Sequence, residues 1–100
     1  MIKSFKDKAS EKLFLATTIA ESPKQFRNIA KRAWIKLEIL DAVVNSKVLE
    51  EFLGKKNYEH LRGDRKGQDA IKINDQYRIC FRWGKDNNVY DVEVNKHYWD

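Results

Sequence analysis

The residues best suited to chemistry are basic and lie close together in the second half of the chain. The stretch from His60 to Trp83 holds six Lys or Arg residues and only three Asp residues. The basic residues are Arg62, Arg65, Lys66, Lys72, Arg78 and Arg82. Guanidinium groups stay charged at all relevant pH values and bind phosphate through paired hydrogen bonds. This cluster therefore indicates an anionic partner, and phosphate is the group that arginine suits best.

Three further residues could move protons beside this cluster: His60, His97 and Tyr98. Histidine is the better acid or base at neutral pH, because its pKa needs little tuning. Arginine clamps with one or two proton-moving groups suffice for RNA cleavage without a metal, since the ribose 2′-OH attacks its own 3′-phosphate. The same groups could instead form only a binding surface for nucleic acid or an acidic protein. These residues alone leave both interpretations open.

Other kinds of site find no support in the sequence. The chain has one cysteine and two distant histidines, which is not a metal-ligand pattern, and its four glycines form no phosphate-binding loop. We therefore expect no metal site and no cofactor. Cys80 lies in an alternating strand and is interpreted as a small packing residue.

The composition fits one small domain spanning residues 1–100. The chain is 42% hydrophobic and 35% charged, with a net charge of +5, so it can bury one modest core and attract nucleic acid, an anionic membrane or an acidic protein. A single cysteine excludes an internal disulfide and favours a reducing compartment, so a cytoplasmic location is expected. We expect no transmembrane helix, because no apolar run approaches the length of a membrane span, and the first residues do not resemble a signal peptide. A membrane is not among the expected partners.

Helical patterns dominate the first half of the chain. Residues 1–5 are β-compatible and are predicted to form an edge strand. Asp7 is a plausible cap for the helix that follows. Ser22 and Pro23 predict a new helix, with serine as its cap and proline as its first residue. Apolar residues recur every three or four positions over 24–45, which predicts one long amphipathic helix.

The second half changes to the period of a strand. Ser46 is predicted to cap a short helix that ends near Gly54, and residues 54–67 are predicted to be a loop. Residues 74–76 are predicted to be the turn of a hairpin, and residues 89–95 a third alternating strand. The side chains assigned to the core face are Ile71, Ile73, Tyr77, Ile79, Phe81, Trp83, Tyr90, Val92 and Val94.

This order predicts an α+β fold, in which the N-terminal strand and two helices pack on one face of an antiparallel sheet. The other face should be open to water and carry Lys72, Arg78 and Arg82 beside the basic turn. If the last strand continues, His97 faces the same open side, and Tyr98 has the parity of the core.

Three stretches of the chain, in the right order, resemble the HigB toxins of the RelE/ParE superfamily. They are "MIKSFKDKASEKLF", "LRGDRKGQDAIKINDQYRICFRW" and "VYDVEVNKHY". The middle stretch is specific, because a basic-Gly-Asp-Arg turn precedes a hairpin with an Asn-Asp-Gln-aromatic-Arg pattern. The resemblance implies a small RelE-like domain with helices on one face of an antiparallel sheet.

The resemblance also implies a function. HigB proteins are toxins of type II toxin–antitoxin systems, and they act as ribosome-dependent endonucleases that cut mRNA codons in the A site. A helix-turn-helix antitoxin of the HigA type neutralises them, and the pair represses its own operon, so operator DNA is reached through the complex. Carried over by position, Arg62 and Arg78 would hold or stabilise the scissile phosphate. The residues expected to bind RNA are His60, Arg65, Lys66, Lys72, Arg82 and Lys96.

The end of the chain departs from the family pattern. Members commonly finish with Asp-Tyr-His, and here Lys96, His97 and Tyr98 occupy those positions. Some members carry a histidine two residues before the leucine of the basic turn, where this chain has Glu59. We expect His97 to be the main proton-moving group and Tyr98 to stack on or orient the substrate. The alternatives are a ParE-like inhibitor of DNA gyrase and a non-catalytic module that binds RNA or antitoxin.

Overall fold

The computed structural model describes residues 1–96, and the predicted α+β fold is confirmed. Three helices pack on one face of a four-stranded antiparallel sheet with strand order β1-β2-β3-β4. The helices are α1 (Lys8–Leu15), α2 (Ala30–Ala42) and α3 (Ser46–Leu53), and the strands are β1 (Tyr58–His60), β2 (Asp69–Lys72), β3 (Tyr77–Trp83) and β4 (Val89–Lys96). Short 3-10 turns cover Lys24–Ile29, Lys55–Asn57 and Gly63–Arg65. Within residues 1–96, no helix is long and apolar enough to cross a membrane.

Helix α1 begins as predicted and is tied to both neighbouring elements. The side chain of Asp7 accepts a hydrogen bond from the backbone N–H of Ser10 at 2.7 Å. The buried hydroxyl of Ser10 in turn accepts from the N–H of Val94 in β4 at 2.9 Å. On the other side, the indole N–H of Trp34 donates to the carbonyl of Leu13 at 2.7 Å. Polar contacts therefore fix α1 against α2 and the sheet.

The prediction of one continuous helix over 24–45 is wrong at both ends. The chain first forms a 3-10 turn over Lys24–Ile29, and the α-helix begins only at Ala30 and ends at Ala42. Pro23 occupies the cap position itself, with extended backbone, and its carbonyl accepts from the N–H of Phe26 at 2.9 Å. This bond spans three residues and sets the tighter 3-10 geometry. The predicted Ser22 cap is absent: no side chain caps this turn, and the hydroxyl of Ser22 donates back to the carbonyl of Thr18.

Helix α3 has a different cap from the predicted Ser46. The side chain of Asn45 accepts from the N–H of Val48 at 2.9 Å, so Asn45 is the cap. The helix ends at Leu53, close to the predicted position, and Gly54 caps it with a φ of 84°, a backbone conformation that other residues rarely adopt. The segment predicted as a loop over 54–67 contains strand β1. This strand is too short for its three residues to show an alternating pattern.

The predicted hairpin of β2 and β3 is confirmed. The side chain of Asn74 closes its turn by accepting from the backbone N–H groups of Gln76 and Tyr77, each at 2.8 Å. Ile79 and Phe81 are fully buried against the helices, as their parity predicts. The main core combines residues from all three helices and all four strands.

A bulge in β4 changes which of its residues face the core. Cys80 pairs with Glu93, whereas Arg82 pairs with Tyr90, so β4 contains one extra residue between these pairs. Asp91, inside the bulge, has a φ of 55°. The prediction that Tyr90 faces the core is wrong, because the extra residue reverses the parity of the strand before it. Val89 is buried instead.

The predicted N-terminal strand exists as an extended segment along β4. Ile2 pairs with Val89 and Phe5 with Val92 through isolated parallel bridges. The backbone N–H of Lys3 donates to the carbonyl of Val89 at 2.7 Å. The segment thus covers the edge of β4. It runs parallel to β4, whereas the four strands of the sheet are antiparallel to one another.

Candidate functional site

The candidate site lies on the sheet face turned away from the helices, here called the open face. Register places two rows of side chains on it: Glu59, Ala70, Cys80 and Glu93 in one row, and Lys72, Arg78 and Asn95 in the next. The expectation that this face stands open to water is wrong in part. Leu61, Ala70 and Cys80 form a second buried cluster on it. Cys80 is therefore a packing residue, as interpreted from the sequence.

The basic turn, residues 62–67, is held against the open face. Its two ends are closed by a hydrogen bond from the N–H of Leu61 to the carbonyl of Gln68 at 2.9 Å. Arg65 Nη1 lies 3.0 Å from Glu93 Oε1 on β4 and 3.1 Å from the side-chain oxygen of Gln68. The hydrogen bond to Glu93 raises the pKa of Arg65. Arg65 was predicted to bind RNA. In the structure, its guanidinium already holds the basic turn in place through Glu93 and Gln68.

Arg82 lies at the same end of the sheet as the basic turn. Its Nε is 3.6 Å from Asp91 Oδ2, and about half of its side chain is exposed. A Cβ added to Gly67 would lie 3.1 Å from Arg82 Nη1, so the guanidinium packs closely on this glycine. Gly67 also has a φ of 90°, which a larger residue would rarely adopt. The turn therefore needs glycine here both for its backbone and to admit Arg82.

Arg62 and Lys66 are the exposed basic residues of the turn. Within residues 1–96, neither side chain has a hydrogen bond or ion pair to another residue. Their charges are consequently free to meet an anion from solution. The pattern of the turn, with positive φ at Gly63, presents them on a fixed backbone.

Arg78 lies at the opposite end of the open face from Arg82. The two residues are four positions apart on β3, or roughly 13 Å at a strand rise of about 3.3 Å per residue. Arg78 is only 8% exposed, which corrects the expectation that its side chain stands in water. Its Nε donates to Asn95 Oδ1 at 3.1 Å. A guanidinium so enclosed has one fixed orientation, and this favours bidentate binding of an anion.

Arg78 forms part of a cleft of about 230 Å³ between β1, β2 and β3, here called the basic cleft. The residues that line it are Lys55, Lys56, Asn57, Tyr58, Glu59, Ala70, Ile71, Lys72 and Arg78. Four of these side chains are cationic and one is a carboxylate. The cleft is therefore suited to an anionic group, and Glu59 is placed where it could accept a proton from a bound molecule.

Sequence reasoning did not assign Lys55, Lys56 or Glu59 to the site. The lysine pair follows Gly54, and only the pairing of β1 with β2 brings it beside Arg78. Glu59 could have been found from its position, since some HigB-like sequences carry a histidine there. Lys72, which was predicted, lines the same cleft and forms an ion pair of 3.0 Å with Asp75.

His60 lies on the other side of the sheet. It has the parity of the buried Tyr58, and its Nδ1 is 2.9 Å from Asp69 Oδ1. Its Nε2 lies 3.9 Å from a carboxylate oxygen of Glu50 in α3. The hydrogen bond with Asp69 raises the pKa of His60. The structure therefore does not bring His60 together with Arg78.

Asp69 is shared by two side chains of β1. It accepts a hydrogen bond from the hydroxyl of Tyr58 as well as binding His60, and the indole N–H of Trp83 donates to the same hydroxyl at 3.0 Å. Burial raises the pKa of Tyr58. This network fastens the edge strand to β2 and β3 and stabilises the wall of the basic cleft.

At the end of β4, the side chain of Lys96 lies on the helix side of the sheet with Tyr77, on the opposite face from Arg78. Lys96 pairs with Tyr77, the neighbour of Arg78, and its Nζ lies 5.7 Å from the centroid of the Tyr77 ring. Lys96 is exposed and thus remains available for an anion. The two residues predicted to move protons, His97 and Tyr98, lie outside the described residues.

The fold defines a class of protein, the small α+β domains with helices on one face of a four-stranded antiparallel sheet. Among solved structures, the chain resembles the YoeB–YefM complex from Staphylococcus aureus with a TM-score of 0.53. The match covers 99% of both chains at 14% sequence identity, so it concerns the fold.

The particular family follows from sequence comparison. The model of the HigB-like toxin family, described as RelE-like toxins of the type II toxin–antitoxin system HigB, matches residues 3–97. Toxin HigB-1 of Vibrio cholerae serotype O1 (strain ATCC 39315 / El Tor Inaba N16961) is 37% identical over 87 residues, which cover 83% of this chain and 84% of the relative. The chain belongs to the HigB family of RelE-like toxins. The resemblance seen in the three sequence stretches is confirmed.

Proposed function

We propose that this toxin is a ribosome-dependent mRNA endonuclease that stops translation by cutting codons in the A site. The observation that carries the proposal is the basic cleft, in which the enclosed guanidinium of Arg78 is oriented by Asn95. A surface that only attracts nucleic acid needs exposed charge. An oriented, mostly buried arginine is instead the kind of group that stabilises charge in a transition state.

The proposed reaction uses a nucleophile that the substrate supplies. The 2′-oxygen of the ribose attacks the adjacent phosphorus, a P–O2′ bond forms, and the P–O5′ bond breaks. The products are a 2′,3′-cyclic phosphate and a free 5′-OH. One proton must leave the 2′-OH and one must reach the departing O5′, while the phosphoryl oxygens gain negative charge. The protein supplies position, positive charge and proton transfer.

Arg78 is proposed to hold and stabilise the scissile phosphate. Arg62 is assigned to the same phosphate by the family pattern, and to share it the exposed Arg62 side chain must extend from the basic turn along the open face toward Arg78. Arg78 is preorganised by Asn95, so little reorganisation is needed when charge develops. Arg62 is exposed on the basic turn and reaches outward from the held backbone. Lys66, Lys72, Arg82 and Lys96 are proposed to bind neighbouring parts of the RNA.

His97 is proposed as the main proton-moving group, with Tyr98 as a group that stacks on or orients the substrate. Histidine titrates near neutrality, whereas the pKa of tyrosine is normally about 10 and needs a large shift before the group can act as a base. Glu59, the carboxylate of the basic cleft, is the second candidate for the proton acceptor.

The proposed partners follow from the family. They are a HigA-type helix-turn-helix antitoxin, the ribosome with its mRNA, and operator DNA reached only through the toxin–antitoxin complex. No cofactor is included in the proposal, and the site of action would be the cytoplasm, where ribosomes are found. The net charge of +5 supports association with ribosomal RNA.

Primer extension on mRNA from cells that express the chain tests the proposal. We expect new 5′ ends inside translated codons for the unchanged protein and none for Arg78→Ala at equal expression. A gyrase supercoiling assay on the purified toxin runs in parallel. Growth inhibition without new 5′ ends, together with loss of supercoiling, would show a ParE-like gyrase inhibitor instead.

A further inference from the structure

We propose that Lys55 and Lys56 form a second phosphate-binding position for the RNA, on the β1 side of the basic cleft. The proposal rests on the nuclease function and deepens it, because it names where the strand runs once Arg78 holds the scissile phosphate. Its occupant is single-stranded RNA, whose neighbouring phosphate the two ammonium groups would bind.

The backbone that carries the two lysines is fixed. Gly54 turns the chain with a φ of 84°, and its carbonyl accepts from the N–H of Asn57 at 3.0 Å. The side chain of Asn57 donates to the carbonyl of Leu53 at 2.9 Å. The 3-10 turn is thus tied to the end of α3. The side chains of Lys55 and Lys56 extend from a backbone that is already ordered before a ligand binds. The entropic cost of ordering this backbone is therefore not part of the free energy of binding.

The two lysines have no structural task among the described residues. Both are exposed, and within residues 1–96 neither has a hydrogen bond or an ion pair. Four other cations of this side of the molecule are paired: Lys6 and Arg65 with Glu93, Lys72 with Asp75, and Arg82 with Asp91. Arg62 and Lys66 of the basic turn have no ion pair among the described residues, as is also true of the two lysines. The Lys55–Lys56 pair is therefore positive charge without an ion pair, among residues 1–96, at the mouth of a cleft.

Register sets the distance from this pair to Arg78. Lys72 pairs with Arg78, and because Tyr58 pairs with Ile71, Asn57 comes level with Lys72. Two strand spacings of about 4.8 Å separate the backbone of β1 from that of β3, or about 10 Å in all. At that separation, the lysines and Arg78 would meet neighbouring phosphates along one strand rather than a single phosphate.

RNA fits this surface better than a protein does. Lysine is depleted at the centre of protein interfaces, which are rich in aromatic side chains. Lysine binds phosphate as a point charge, so the phosphate need not take one exact orientation relative to the ammonium group. The lining of the basic cleft, with four cations beside one carboxylate, has the composition of a phosphate-binding groove.

The test compares two double variants that lose the same charge. Lys55→Gln/Lys56→Gln removes the proposed position, and Lys31→Gln/Arg32→Gln removes two exposed charges from α2, in the helix layer. The probe is a short single-stranded RNA with a 2′-deoxy nucleotide at the cleavage position, so that it binds without being cut. Affinity is measured across a series of salt concentrations, and single-turnover cleavage of ribosome-bound mRNA is measured at saturating toxin. Thermal unfolding checks that both variants are folded.

We expect the 55/56 variant to bind the probe about tenfold more weakly at low salt, since a charged contact is worth at least ~1.4 kcal/mol. The slope of log affinity against log salt should become shallower by about 0.7, because the variant loses one phosphate contact and the counterion release that goes with it. Its maximal cleavage rate should stay close to that of the unchanged protein, and the 31/32 variant should show neither change.

Equal affinities and slopes in the two variants would overturn the proposal. So would a loss confined to the maximal rate, which would mean that the turn only shapes the cleft, or a loss of antitoxin binding with RNA binding intact. Failure of the nuclease function gives a different result: the unchanged protein would then cut no ribosome-bound mRNA, whatever the lysine variant does to RNA binding.

Discussion

Arg65 and Glu93 are joined across the open face, with Arg65 Nη1 3.0 Å from Glu93 Oε1. The pair connects the basic turn to β4, and Lys6 from the N-terminal segment approaches the same carboxylate at 3.6 Å. Two cations that are distant in sequence thus depend on one acceptor. Because Arg62 belongs to the same turn, the Arg65–Glu93 contact also holds the backbone from which the Arg62 side chain extends.

Glu93→Gln should loosen the basic turn without unfolding the protein. We expect cleavage to fall roughly ten- to a hundredfold, because small displacements of a positioning group cost that much. Stability should fall by only about 1 kcal/mol, since the pair is partly exposed. Single-turnover cleavage and urea unfolding measure the two effects. Lys6→Ala is the control that leaves Arg65 bound, and an equal loss of cleavage in it would refute this role for the turn.

Arg78→Ala should remove growth inhibition and slow cleavage by about 10²–10³, the usual effect of losing one preorganised donor. Because the residue is only 8% exposed, truncation should also lower the free energy of unfolding, by roughly 1–3 kcal/mol. Arg78→Lys keeps the charge and loses the fork geometry, so it should recover stability better than activity. A fully toxic Arg78→Ala at equal expression would exclude the phosphate-clamp role.

The proton-moving groups can be separated by three conservative variants. His97→Gln should slow single-turnover cleavage of ribosome-bound mRNA more than Tyr98→Phe, with ribosome binding unchanged, because histidine is the better acid or base at neutral pH. Glu59→Gln should have the smaller effect if His97 takes the proton. The deepest loss in Tyr98→Phe, or no loss in either tail variant, would show that His97 is not the main group.

His60 gives a prediction about stability and pH. Its folded pKa is raised by Asp69, so the stabilising pair is complete below the unfolded pKa of about 6.5 and is lost as pH rises through the folded value. His60→Gln should therefore lower stability near pH 5.5 and have little effect near pH 8.5. The difference should stay under about 1 kcal/mol, since the ring is 67% exposed. Urea unfolding of both proteins at the two pH values measures it, and an equal loss at both would mean that the charge is irrelevant.

Periodicity in the sequence was sufficient for the elements that have a long enough pattern. The apolar spacing around Leu37 and the alternation from Tyr77 to Trp83 correctly indicated a helix and a strand of the hairpin. Strand β1 was missed because three residues show no period. The bulge at Asp91 was missed because an inserted residue becomes visible only against its partner strand.

The candidate site could be foreseen only in its chemistry. The types and order of the basic residues indicated phosphate, and the family pattern assigned Arg62 and Arg78. The alternation of strand β3 correctly placed Arg78 on the sheet face turned away from the helices. Alternation does not show how far other segments cover that face, and in the structure Arg78 is buried. The basic cleft depends on long-range pairing of β1 with β2, so Lys55 and Lys56 could not be assigned from local sequence.

The parallel pairing of the N-terminal segment with β4 has a consequence for the order of folding during synthesis. The bridges from Ile2 to Val89 and from Phe5 to Val92 join the beginning of the chain to its last strand. A nascent chain grows from its N-terminus, so the first residues emerge long before their partners exist. The sheet cannot close, nor can Arg78 gain its bond to Asn95, until residues 89–96 have left the exit tunnel. A growing chain of this topology therefore carries its basic residues before it can arrange them, because the contact that orients Arg78 forms only once the last described strand is available.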